Sequence, residues 1–266
     1  MISNLKKIYL YKDFLFQLIK KHFVNFYKQT ILGPLLQIIT PLLQSGIFTL
    51  VFGKLLDFNT DSVPPLLFYM ICTTYFNYFR GSAMKCSNVY QSYQGLFRSF
   101  YFPKILMYIS LIIENFLLYL IQFIFLLAVI LLYFLLGAFE KINFINILLS
   151  FVPILYITFF SINLGIIFSS LSIKYRDLTH FINYIMQILF YTTPILFSNS
   201  VVSKDLEWFF YFNPIYYPIS YYKNLLIGSQ MPNITFLFSS LIVLVLLSII
   251  SYFLYKFANK QFDDFV

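Results

Sequence analysis

Proton-transfer chemistry needs carboxylates or imidazoles, and this chain places few of them where an apolar setting would tune them. Glu114 is the one carboxylate inside a long apolar run. An acid at membrane depth is a functional candidate by default, because burying its charge is costly. His22, Asp177 and His180 are the other groups that an acid–base reaction at a membrane face would draw on, and His22 and His180 are the only histidines. The four are scattered along the chain. Glu114 also lies about ten residues into an overlong apolar stretch, where a structural role near an interface fits. No spacing matches a metal site. No G-x-x-x-x-G-K-[ST] phosphate loop occurs, so ATP hydrolysis by that route is excluded. Cys72 and Cys86 are separated by about 21 Å of rise on one continuous helix, whereas a disulfide tolerates less than about 7 Å between Cα atoms. They read as small apolar residues.

What the chain does offer is tyrosine. The stretch FFYFNPIYYPISYYKNLLIG, residues 209–228, has three Phe and five Tyr, with Pro214 and Pro218 placed to break a helix. Tyr69, Tyr75, Tyr78, Tyr184, Tyr191, Tyr216, Tyr217, Tyr221 and Tyr222 each join an apolar ring to a hydroxyl. Such rings stack on the C–H faces of sugars and hydrogen-bond their edges without a fixed charge to trap a polymer. An aromatic belt at the membrane boundary accounts for the same residues. So does the AT-rich codon bias shared by Phe, Tyr, Ile, Lys and Asn.

The elements that must hold these residues follow from composition. The 266 residues are 60% hydrophobic and 11% charged, with mean hydropathy +0.80. A soluble domain is about half apolar and about a quarter charged. The expected fold class is therefore an all-α membrane protein. It has six transmembrane helices, an N-terminal amphipathic interfacial helix, and a broken re-entrant hairpin between spans five and six. The spans fall near 31–53, 64–84, 104–136, 145–172, 178–198 and 234–256, each close to the ~20 residues that cross the hydrocarbon core. The second is the weakest, since its apolar core ends near Phe79 and Arg80 follows. Residues 1–30 form the interfacial unit and 31–266 the six-span domain.

On a helical wheel, Leu5, Ile8, Leu15, Phe16, Ile19, Phe23 and Phe26 share one face, and Lys6, Lys7, Asp13, Gln17, Lys20, Lys21 and Lys28 the other. Residues 1–30 carry charges throughout and lack the apolar core of a secretory signal.

Basic residues set the orientation. With both termini inside, the inner segments hold Lys6, Lys7, Lys12, Lys20, Lys21, Lys28, Arg80, Lys85, Arg98, Lys104, Lys174, Arg176, Lys256 and Lys260, which is fourteen. The outer segments hold Lys54, Lys141, Lys204 and Lys223, which is four. The net charge of +8 thus faces anionic lipid, and no nucleic-acid partner is expected.

Several stretches, in order, resemble one family. ILGPLLQIITPLLQSGIFTLVFGKLL (31–56), YFPKILMYIS (101–110), LSIKYRDLTHFINYIMQILFYTTPILFS (171–198), NPIYYPISYYKNLLIG and the terminal FDDFV resemble permeases of the ABC-2 class of exporters. The set is most similar to permeases that export lipid-linked polysaccharide such as O-antigen, capsule or teichoic acid. It departs from them in FYKQT, where family members usually carry arginine, and in QGLF, where N-x-L-L is more common.

The resemblance implies a homodimer in the cytoplasmic membrane of a bacterium, bound to two ATP-binding subunits. ATP and Mg would sit on the partner, with no cofactor in this chain. It implies ATPase coupling through Gln94, Leu96, Phe97 and Arg98, where an ordinary basic loop is the plain alternative. Leu32, Gly33 and Pro34, linking the surface helix to span one, read as a cytoplasmic gate or as a simple bend between two helices. The tyrosines above read as a glycan path. A permease for a drug or small lipid-like cargo is the alternative, marked by an apolar path. A membrane-embedded transferase built on Glu114, His22, Asp177 and His180 is the remote one.

Overall fold

The computed structural model describes residues 11–28, 33–61, 63–99, 102–138, 143–198, 207–229 and 231–264. Their regular structure is all helical, and no strand occurs among them. Helix α1 (Lys12–Lys28) precedes α2 (Gly33–Phe48), which runs on as a π-helical segment over Thr49–Leu55. Next come α3 (Pro65–Ser87), two short helices α4 (Val89–Ser92) and α5 (Gln94–Ser99), and the long α6 (Ile105–Leu135). Then follow α7 (Phe144–Leu149), α8 (Phe151–Ser172) and α9 (Leu178–Thr192). The chain ends with α10 (Glu207–Phe210), α11 (Tyr216–Ile227) and α12 (Ile234–Asp264).

Among the described residues, four stretches are long and apolar enough to cross a membrane: Leu35–Leu55, Ile105–Leu135, Phe144–Ser172 and Ile234–Lys260. Helix α3 has the length, about 34 Å at 1.5 Å per residue, but Thr73, Thr74, Asn77, Arg80, Ser82 and Lys85 dilute its apolar run. Helix α9 is about 22 Å long, short of the ~30 Å hydrocarbon core.

Helix α3 is nonetheless the centre of the fold. From Leu67 to Phe79 nearly every residue of α3 is buried, and α2, α6, α8, α9 and α11 pack around it. Many of its polar groups therefore meet neighbouring helices, and α2, α6 and α8 supply partners. Asn77 Nδ2 donates to Gln44 Oε1 on α2 at 3.0 Å. Tyr75 Oη donates to the Pro153 carbonyl at 2.9 Å, and Tyr78 Oη lies 2.7 Å from Thr158 Oγ1, both on α8. Asn115 Nδ2 on α6 donates to the Tyr78 carbonyl at 3.0 Å and to Ser82 Oγ at 2.7 Å. Outside this ring, α12 lies on α8, where Tyr156 Oη donates to the Ser240 carbonyl and Asn163 bonds Ser248 and Ser251.

Three features differ from the sequence expectation. Helix α1 turns Leu18 inward, with Tyr11, Phe14 and Leu15 beside it, against the cluster containing Leu106, Met107 and Leu111. Phe16, on the expected apolar face, is 68% exposed. A wheel sorts residues into two environments, and this helix meets protein, lipid and water. Pro218 does not break α11: it sits in the first turn, where a backbone N–H has no intrahelical partner to lose. Helix α11 ends at Gly228, whose φ of 69° is the left-handed cap that glycine adopts without strain. Third, Lys223 is no loop charge; it is fully buried in α11.

The α3–α8 crossing leaves no room for a side chain at Gly165. A Cβ there would lie 2.1 Å from Cys86 Cβ and 3.2 Å from Cys86 backbone atoms. Gly165→Ala is expected to destabilise the protein by about 1–3 kcal/mol, the usual cost of overpacking. Gly46→Ala, whose added carbon meets nothing within 4 Å, should cause no loss. Thermal unfolding in detergent, followed by circular dichroism, checks both.

Candidate functional site

At the Ser87 end of α3, Glu114 is the hub of an ionic cluster. It is buried on α6, because α1 and α3 close over it. Lys85 Nζ donates to Glu114 Oε1 at 2.9 Å, and His22 Nδ1 of α1 lies 3.5 Å from Oε2. Tyr93 Oη, between α4 and α5, sits 3.2 Å from His22 Nδ1 and 3.3 Å from Nε2, with the rings edge-on. Burial pushes the Tyr93 phenol up to about 12, with the Glu114 charge adding to it. Burial also lowers the His22 pKa below its ordinary value, more than Glu114 raises it. An open cleft of about 300 Å³ lined by Met84, Lys85, Asn88, Ser92, Tyr93 and Leu111 adjoins the cluster. Sequence scatter concealed that His22 and Glu114 meet. Asp177 and His180 do not join them; both are exposed near the start of α9.

The α4–α5 segment crosses the same end. Gln94 opens α5 half-buried. Leu96 and Phe97 are half-buried too, and they pack on the protein itself: Phe97 stacks near Tyr90 and Phe102, at 5.8 and 5.5 Å. Arg98 lies within α5, and its side chain is outside the described residues. The residues turned outward are Gln91, Ser92, Gly95 and Ser99. Gln91 Nε2 donates to the Arg176 carbonyl at 3.4 Å, so the exposed loop of Lys174, Tyr175, Arg176 and Asp177 continues the same surface. Tyr90 Oη donates to Asn259 Oδ1 of α12 at 2.9 Å, and Lys104 Nζ to the Asn259 carbonyl at 3.4 Å. Of the expected gate, Gly33 and Pro34 form the first turn of α2, and Leu32 lies outside the described residues.

The structure divides the tyrosines. Tyr69, Tyr75, Tyr78, Tyr216 and Tyr222 are buried. Four hydroxyls of the core are spent internally: Tyr75 on Pro153, Tyr78 on Thr158, and Tyr119 with Tyr222 at 2.9 Å. Tyr69 Oη donates to the Leu196 carbonyl at 3.4 Å. Tyr217 and Tyr221 are half-buried and stack on each other at 6.0 Å. Tyr184 and Tyr191 are 63% and 61% exposed, about two turns apart on α9, with Ile188 exposed between them.

At the Pro65 end, α9 stops at Thr192 and residues 193–198 continue without helix, yet Thr193, Ile195, Leu196 and Ser198 are buried. Side chains supply the missing backbone partners. Asn213 Nδ2 donates to the Thr192 carbonyl and to Thr193 Oγ1, each at 3.0 Å. Lys223 Nζ donates to the Pro194 carbonyl at 2.9 Å. Ser198 Oγ donates to Asp61 Oδ1. Asp61 adopts a positive φ of 56°, a conformation Asp accepts more readily than most residues. Sequence reading missed Asn213, Lys223 and Asp61. The only signal was a polar residue inside each apolar or turn-rich stretch.

The groups facing His22 are Glu114, Lys85, Tyr93 and, on α1 itself, Lys21. Because its folded pKa lies below the unfolded 6.5, the folded state holds fewer protons than the unfolded chain as pH falls through 6.5. That part of the stability is present above 6.5 and lost below it. The thermal midpoint in detergent is expected to drop between about pH 7.5 and about pH 5.5, and His22→Gln to shrink the drop. Glu114→Gln should cost on the order of 1–3 kcal/mol at neutral pH, less than for a fully buried pair because Lys85 is 31% exposed.

Residues 14–227 match the family described as ABC-2 type transporter, well over half of the chain. Two relatives from Klebsiella pneumoniae, each named O-antigen export system permease protein RfbA, are similar to it. One is 28% identical over 104 residues, covering 38% of this chain and 40% of the relative. The other is 27% identical over 114 residues, covering 41% and 44%. The chain therefore spans less than half the length of the curated relatives it matches. With four described stretches long and apolar enough to cross a membrane, and with the family match running from α1 through α11, this chain is a multi-pass membrane protein that belongs to the ABC-2 type transporter family.

Proposed function

We propose that the chain is the membrane-spanning subunit of an exporter that moves lipid-linked polysaccharide, of O-antigen, capsule or teichoic-acid type, out across the cytoplasmic membrane of a bacterium. The observation that carries this reading is the family match over α1–α11 together with two relatives named as O-antigen export permeases. ATP, with Mg, is bound and hydrolysed by a separate subunit, two copies of which serve a homodimer of this chain. Helices α3 and α9, the latter with its buried extension to Ser198, serve as spans two and five of six. Helices α10 and α11 form the re-entrant hairpin. Both termini lie in the cytoplasm. Burial of Lys223 removes it from the outer loops and leaves three basic residues there against fourteen inside, which supports that orientation.

The geometry refines two roles. Leu96 and Phe97 brace the coupling segment from within, and the ATPase meets Gln91, Gly95 and the 174–177 loop. The glycan path uses Tyr184 and Tyr191 on the open face of α9, with the Tyr217–Tyr221 pair beside the outer mouth. The buried tyrosines hold the wall behind them. Gly33 and Pro34, with Leu32 before them, remain the gate at the cytoplasmic mouth.

A Cβ at Gly95 meets no heavy atom within 4 Å, so Gly95→Trp leaves the permease fold intact while filling the docking face. In cells carrying the partner ATPase, this variant is expected to accumulate normally, to lose the ATPase on purification, and to leave surface polysaccharide near background. Normal export by Gly95→Trp would move the docking face elsewhere. Tyr184→Phe with Tyr191→Phe should lower surface polysaccharide per permease copy, and the corresponding Ala variants should lower it further; wild-type export by the Phe pair would refute a hydroxyl-dependent path.

A further inference from the structure

We propose that Lys223 is a positioning residue for transport: its ammonium fastens α11 to the break after α9 and to α3, and holds the outer mouth shut at rest. The words "outer" and "transport" rest on the export reading above; the fastening itself does not.

The argument starts from cost. Taking an ammonium out of water costs several kcal/mol, so a lysine with no exposed surface is a poor space filler. A Met would fill the same slot without that cost. Lys223 reaches two elements. Its Nζ donates to the Pro194 carbonyl at 2.9 Å and lies 4.9 Å from the centre of the Phe68 ring on α3. The Asp61 carboxylate and the Cys72 thiol are within its electrostatic reach. The Pro194 carbonyl needs that donor, because Thr193 is extended, with φ −98° and ψ 146°, and the helix no longer supplies one. A charged donor makes a stronger bond than the amide it replaces.

The tie also opens in one step. An ammonium drawn away from Pro194 needs a replacement acceptor, so separation of α11 from the 193–198 segment is favoured by admitting water. Ser198 and Asp61 close the same segment to the turn before α3, one side chain further along. Four parts of the chain thus meet at one buried charge: α3, α11, the 193–198 segment and the Asp61 turn.

Native cysteines report the state of this tie. Cys72 is buried on α3 beside Lys223, and Cys86 is buried near the other end of the same helix. In intact cells, a membrane-impermeant maleimide applied from outside should label wild-type Cys72 slowly and Cys86 not at all. Lys223→Met should speed Cys72 labelling roughly ten-fold or more, the factor that loss of one bond to a charged group brings. Export per copy should fall, with Cys86 still unlabelled. Ser198→Ala should move Cys72 labelling the same way by a smaller factor.

No acceleration in either variant at wild-type protein level overturns the proposal. Should Lys223→Met fail to accumulate, Ser198→Ala decides by the same criterion. Acceleration seen only with a membrane-permeant maleimide keeps the fastening and overturns the orientation. Labelling requires neither cargo nor ATPase, so the fastening and the export reading fail separately.

Discussion

A polar helix inside an apolar medium must bring its own partners, and α3 imposes that condition on the whole molecule. Its Tyr, Asn, Ser and Lys side chains cannot face lipid without leaving hydrogen bonds unmade, each at a cost of a few kcal/mol. The solution is a ring of helices, each contributing an acceptor or donor at a defined height: Gln44 from α2, Asn115 and Glu114 from α6, Pro153 and Thr158 from α8. Apolar packing alone would let these helices slide, because lipid tails are as apolar as leucine. The polar staples fix their register. Close approach then follows where the chain permits it, as at Gly165 beneath Cys86.

The same rule explains the two ends. Where α3 leaves the apolar layer near Ser87, its last cation is neutralised by a carboxylate from α6 and overlain by α1. Where α9 stops early, the freed carbonyls take donors from side chains of α3, α11 and the Asn213 turn. Neither end is held by regular structure. At both, side-chain polar contacts stand in for backbone pairing.

Part of the architecture was legible from hydropathy: the helical class and the four strongly apolar stretches. Hydropathy reports preference for lipid, however, and α3 scores poorly because it prefers protein. For the same reason the wheel of α1 leaves out that Leu18, with Phe14 and Leu15 beside it, packs on protein, a distinction between two apolar environments that no scale of water-to-oil transfer contains. The candidate site was half readable. Glu114 stood out as an acid in an apolar run, but its partners His22 and Lys85 lie on other helices, and sequence distance hides them. Lys223 was read as a loop cation because a lysine between prolines and tyrosines normally is one. Leu96 and Phe97 are half-buried against their own protein, a contact that their place on a short polar segment does not reveal.

One contact set has a mechanical consequence. Tyr93 is held by His22 of the first described helix, and Tyr90 by Asn259 of the last. Lys104, at the start of α6, grips the same Asn259 backbone. The short α4–α5 segment is thus tied to α1 on one flank and to α12 on the other. A displacement of it is shared between those two helices rather than carried along α3 alone.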